Sequence, residues 1–219
     1  MSLRLLLLSN CKMSRGGHSD CIRAANAQED HDESERAAMV AVNLISSARV
    51  ILKLDKEFTE YSAQFLVENA SPKKESGQGS KLTVKQALDS SHIPRVSMKG
   101  QVAEAKELGE AFVLLMHQPV RAKLHVFSPE IDRVGEGIYR GPSSDETSYV
   151  GLRDVIICGV ERIDGVNVAS VKICYKKKIS FINVSLVEMF LRASATADES
   201  QFIAPTGLLV DFIVPRLSK

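Results

Sequence analysis

Lys176, Lys177 and Lys178 follow directly on Tyr175, and Arg121 and Lys123 stand two residues apart in VRAKLHVF, residues 120–127. Cations grouped in this way attract anionic polymers and surfaces, because neutralising phosphates releases their counterions. These five residues are the candidate nucleic-acid or anionic-surface contact. The rest of the composition restrains that reading. Twenty-eight basic side chains face twenty-seven acidic ones, a net charge of +1, and the chain has no tryptophan and 5% aromatic residues. Single-stranded nucleic acid is held largely by stacking on aromatic rings. The plainer role for three lysines at a strand end is protection of that end from edge pairing.

Other chemistries find less support. His117 and His125 precede Glu130 and Asp132, so a histidine–carboxylate pocket is the alternative: a small enzyme or ligand-binding domain. Nucleophilic catalysis needs a serine or cysteine held near a base, and no G-x-S-x-G, H-E-x-x-H or H-x-E pattern supplies one. Gly77-Gln-Gly79-Ser-Lys81 lacks the phosphate-loop frame. Gly135 to Gly141 is one residue too long for a dinucleotide fingerprint. Cys11, His18, Cys21 and His31 are spaced C-x6-H-x2-C-x9-H, which fits no common zinc pattern. No cofactor, metal or catalytic residue is predicted. The short apolar run Leu5–Leu8 is too brief for a secretion signal. With only four cysteines, that favours reduced thiols in an intracellular, cytoplasmic protein.

The elements that must carry these residues follow from periodicity and turn chemistry. Residues 1–28 read as a flexible arm, and 29–219 as a single α+β domain with an exposed loop at 69–80. Acidic residues at 29–35 before an apolar stripe predict a helix over 32–47. RVILKL at 49–54 predicts a strand, and the alternation in 58–68 another. Helices are expected near 82–89 and 101–108, with a strand at 110–116. Val120, Ala122, Leu124 and Val126 alternate with Arg121, Lys123 and His125, which predicts a strand with one buried face and one wet, basic face. Asp164-Gly165 is the best turn signal. A two-residue hairpin there joins strands 154–163 and 166–175, with partners summing to 329. In that register Cys158 faces Val171 and Cys174 faces Val155, so the two thiols lie on opposite faces. A strand follows at 179–184. Ser185 and Glu188 match a capping box for a helix over 186–193. The last strand, 207–214, should stop at Pro215. The expected fold is an antiparallel β-sandwich or open antiparallel sheet with two to three peripheral helices.

VRAKLHVFSPEIDR (120–133), a strand followed by an Asp-Arg pair, resembles the core of the plant-virus movement proteins of the thirty-kilodalton class. VASVKICYKKK (168–178) fits a later strand of the same sandwich. Size and mixed α+β character are also similar to those of negative-strand virus matrix proteins. These resemblances imply a movement-type or matrix-type structural protein, and no residue role is carried over from them. The sequence thus points to a non-catalytic binding and assembly protein. It would act through surfaces, with self-association and with a nucleic acid or anionic membrane surface as candidate partner.

Overall fold

The computed structural model describes residues 33–57, 59, 61–70, 81–89, 101–105, 108–115, 118–176, 178–190 and 205–216. The 1–28 arm, the Cys11/His18/Cys21/His31 set, His117, Lys177 and most of the 69–80 loop lie outside them.

Helix α1, Glu33–Ile51, is the long central element. Ala37, Ala38, Ala41, Val42, Leu44, Ile45 and Ala48 are buried along one side of it, the i, i+3, i+4 spacing of a core-facing helix. Four alanines in that stripe let the helix axis come close to its neighbours. The helix runs into the residues expected to form a strand at 49–54: Arg49, Val50 and Ile51 belong to its last turn, and 52–54 form no strand. Lys53, at φ 57°, ends it. Arg49 then clasps the exit, donating to both oxygens of Asp55 at 2.7 and 2.8 Å, and Tyr61 donates to the same carboxylate at 3.1 Å.

Helix α2, Ala63–Ala70, stands where the alternation 58–68 predicted a strand. The Ser62 hydroxyl accepts from the Phe65 amide at 3.2 Å and starts it. The helical option wins because Leu66 and Ala70, four residues apart, are the buried positions. Helix α3, Val84–Asp89, follows. Its start is a reciprocal capping box: Thr83 Oγ1 accepts from the Gln86 amide, and Gln86 Oε1 accepts from the Thr83 amide. Strand β1, Gln101–Ala105, and helix α4, Leu108–Leu115, reverse the expected order of helix and strand. β1 pairs with the last strand, a partner about 110 residues away that local periodicity does not see.

The remaining elements are β2 Val120–Ser128, α5 Glu130–Arg133, β3 Ile138–Tyr139, β4 Ser148–Ile163, β5 Val166–Tyr175, β6 Lys178–Ser185, β7 Met189–Phe190, β8 Thr206–Gly207 and β9 Leu209–Arg216. Seven strands form one sheet in the order β1-β9-β2-β4-β5-β6-β3, antiparallel except where β3 meets β6. β7 and β8 pair separately. The chain is therefore mixed α+β with a mostly antiparallel sheet. The Ser185–Glu188 signal does not start a helix: residues 189–190 form β7. Pro215 does not stop β9 either, but lies within it opposite Val102.

The Asp164-Gly165 hairpin forms as expected, with φ of 49° and 81° at the two turn residues. Partners sum to 329 from Ile163–Val166 up to Gly159–Ser170. A bulge at Cys158 then shifts the register by one, so Ile157, not Cys158, faces Val171. The bulge leaves Ile156 and Cys158 both in the cluster under α1, with Val155 and Ile157 in the cluster on the other face. Cys158 is disulfide-bonded, contrary to the expectation of reduced thiols, and Cys174 is not.

Candidate functional site

The first turns of α1, the segment leading into α3, and strands β2, β4 and β5 enclose a cleft of about 310 Å³. Several contacts hold these elements in place. Ser34 Oγ accepts from the Leu82 amide at 2.9 Å, tying the start of α1 to the chain before α3. Lys172 on β5 donates to Asn43 Oδ1 of α1 at 3.4 Å. Leu82 and Val84 are buried beneath.

Six basic side chains line the cleft: Arg36 from α1, Lys81, Arg121 and Lys123 from β2, Arg153 from β4 and Lys172 from β5. Among the described residues one carboxylate, Asp154, lines it with them. Arg121 is buried, and its guanidinium grips Asp154 through Nε at 2.7 Å and through Nη2; its Nη1 donates to the Asp211 carbonyl at 2.9 Å. That carbonyl is presented by an irregularity in the β2–β9 pairing, where Asp211 takes φ 53°. The Asp211 carboxylate receives Lys123 Nζ at 3.1 Å. A buried cation needs such partners, since desolvation without them is costly. Arg36 and Arg153 are both half-buried; Arg153 Nη1 donates to the Leu152 carbonyl at 2.9 Å, and guanidinium groups match carboxylates and phosphates in shape.

A second cavity of about 470 Å³ adjoins the first and shares Thr83, Val84, Arg121 and Lys123 with it. Its remaining charged lining is mixed: Lys85, Glu104 and Asp211.

The cleft takes in two of the five candidate contact residues, Arg121 and Lys123. Their strand face is not wet, however. Arg121 and His125 are each only 4% exposed: Arg121 lies at the floor of the cleft, held by Asp154 and the Asp211 carbonyl, and His125 is covered by Tyr149 and Phe190. Lys176 and Lys178 lie elsewhere, beside the tight turn between β5 and β6. Lys176 donates to both oxygens of Asp132 at 2.8 Å, and its ammonium sits 5.3 Å from the centre of the Tyr175 ring. Lys178 is exposed.

His125 and Asp132 are engaged separately. His125 Nδ1 is 2.9 Å from the Tyr149 hydroxyl, and its ring packs edge-on to Phe190 at 4.9 Å. Asp132 pairs with Lys176. Neither lines the cleft.

Arg36, Lys81, Arg153 and Lys172 are the lining cations that sequence reasoning missed. Arg36 and Arg153 are each flanked by acidic or apolar residues, and Lys172 and Lys81 stand four residues from the next lysine, so no tight cluster marks any of them. Only the hairpin arithmetic carried a signal, since it sets Arg153 and Asp154 beside the end of β5.

The chain is similar in structure to a cysteine protease of Carica candamarcensis solved in complex with E-64. The TM-score is 0.52 at 14% identity, covering 85% of this chain and 90% of that one. At that identity the likeness is one of fold alone. In sequence, residues 4–107 match the HEAT-INDUCED TAS1 TARGET N-terminal domain. The chain is 48% identical to protein HEAT-INDUCED TAS1 TARGET 4 of Arabidopsis thaliana, over 97% of this chain and 98% of that protein. It is 42% identical to HEAT-INDUCED TAS1 TARGET 1 of the same plant, over 92% and 94%. The chain belongs to the HEAT-INDUCED TAS1 TARGET family.

Proposed function

We propose that this chain is a non-catalytic binding protein that holds an anionic partner in the cleft between α1 and the sheet. One observation carries the reading: among the described residues, six basic side chains and a single carboxylate surround that cavity. Low-dielectric walls around like charges focus the field and raise the local concentration of counter-ions and anionic partners. The reading takes the seven-stranded sheet as an open layer rather than half of a sandwich, since its strand order is linear from β1 to β3. The relatives' names state heat induction and a link to TAS1, and no activity.

The enzymatic alternative has one feature in its favour, because Cys174 lines the cleft. A cysteine nucleophile needs a base within hydrogen-bond reach. His125, the histidine among the described residues, is turned to Tyr149 and Phe190 instead. Alkylation by iodoacetamide at neutral pH separates the two readings. Binding requires that Cys174 react no faster than a simple thiol, and rapid stoichiometric alkylation there would restore the enzyme.

The direct test is anisotropy of labelled polyanions (single-stranded RNA, single-stranded DNA and polyglutamate) at two salt concentrations. Salt-sensitive binding that falls on Arg36→Glu is the expected result. No binding to any of the three at low salt would overturn the proposal.

A further inference from the structure

We infer that the anionic partner is an extended acidic peptide segment with aliphatic side chains between its carboxylates; this rests on the cleft reading above. Three features select that chemistry over a nucleic acid. First, two arginines line the first cavity. Arg36 on the helix and Arg153 on β4 come from two different elements and face one cavity, and a guanidinium takes a carboxylate in a bidentate, directional bond. Second, the walls between the cations are hydrocarbon. Ala37, Val40, Leu82, Val84, Ile156 and Ile173 line the same space, offering contact to aliphatic side chains, with Asn43 and Thr83 as its uncharged polar members. Third, no side chain lining the first cavity among the described residues is aromatic, and Phe212 is the one aromatic among those lining the second, so successive bases would find no row of rings to stack on.

The two adjoining cavities also suit a chain rather than a point ligand. They share Arg121 and Lys123 and pass from a mainly basic cavity, with Arg36 and Arg153, to a mixed one with Lys85, Glu104 and Asp211. A peptide lying along them has its carboxylates in the first and tolerates a basic or neutral residue in the second. Arg121 does not need to leave Asp154 for this. Its role is to keep the one cleft carboxylate neutralised, so that the lining presents no repulsion to an incoming acid.

The experiment is fluorescence anisotropy of a labelled peptide of alternating Glu and Leu, binding the full chain at low and physiological salt. Competitors are a Lys/Leu peptide of the same pattern, oligo-thymidylate and inorganic phosphate. Variants are Arg36→Glu, Arg153→Glu and, outside the cleft, Lys178→Glu, each checked for the parent's circular dichroism and melting temperature. Arg36→Gln and Arg153→Gln stand in should a charge reversal fail to fold. The expected result is affinity on the order of micromolar, lost about tenfold with either cleft reversal and less than about twofold with Lys178→Glu. Displacement by unlabelled peptide but not by the Lys/Leu peptide is also expected. Equal or tighter binding of oligo-thymidylate overturns the peptide assignment and leaves the anionic cleft standing. Full displacement by inorganic phosphate at the peptide's own concentration does the same, reducing the site to a small-anion pocket. An equal loss with Lys178→Glu replaces the cleft by diffuse surface charge. Failure of every anion to bind removes both this inference and the cleft reading.

Discussion

Val155 and Ile157 on β4 enter the core shared with β2 and β5, while Ile156 and Cys158 beside them enter the cluster beneath α1. The first face is nearly all hydrocarbon. Its principal polar intruder is the Tyr139 hydroxyl, which donates to the His125 carbonyl at 3.0 Å and accepts from the Phe127 amide at 2.8 Å. Burial pushes that phenol well above its ordinary pKa. The second face is closed by alanines where α1 lies flat, and it opens into the cationic cleft at the helix's first turns. One sheet thus supports a dry core on one side and a charged cavity on the other. Dryness is a matter of what covers a strand face, and the strand's own alternation does not decide it.

The largest expected effect comes from breaking polarity on the cleft side. Arg121→Met strands Asp154 and the Asp211 carbonyl, and should cost about 3–5 kcal/mol. The double variant Arg121→Met/Asp154→Leu should recover much of that. A urea-denaturation cycle checks it, and strictly additive losses would refute the pairing. On the dry side, Ile157→Ala should cost about 2–5 kcal/mol by loss of burial and a cavity, read by the same titration. Tyr139→Phe keeps the ring but leaves an amide and a carbonyl buried without their partner, for about 1–3 kcal/mol.

A smaller effect is expected at the end of α1. The Arg49 guanidinium, with help from Tyr61, holds the Asp55 carboxyl below its ordinary pKa against the opposing effect of burial. A folded pKa below the unfolded one means that the stabilisation is complete above about pH 4. It then fades as pH falls through the folded value. Asp55→Asn should therefore flatten the acid limb of the stability profile and cost about 1 kcal/mol at neutral pH. An unchanged acid limb would count against the clasp. The smallest effect belongs to Met189, 62% exposed. Met189→Ser should stay within about 0.5 kcal/mol, and a larger loss would mean that this surface is covered in solution.

Local chemistry was enough to read several elements. The Asp164-Gly165 turn, the stripe of α1 and strands β2, β5 and β6 all announce themselves, because their signals lie within one or two turns of chain. Two failures share a cause. Residues 49–54 and 58–68 carry β-branched and alternating residues, but they continue or begin helices because buried neighbours favour the helical face. Residues 101–105 carry a helical pattern but are captured as a strand by β9. The Thr83–Gln86 capping box was present in the sequence as plainly as Ser185–Glu188, and only the former is used. Motif and context must coincide, and context is tertiary.

The sequence by itself determined the α+β class, the central hairpin and the basic character of β2, since turn preferences and alternation act between neighbours. The tertiary structure alone decided that α1 lies across the cleft from Arg121 and Lys123 of β2. It alone gathered Arg36, Lys81, Arg153 and Lys172 around one cavity and set Lys176 against Asp132. Those outcomes depend on which distant surfaces meet, and contact energies between segments far apart in the chain leave no periodic trace within either one.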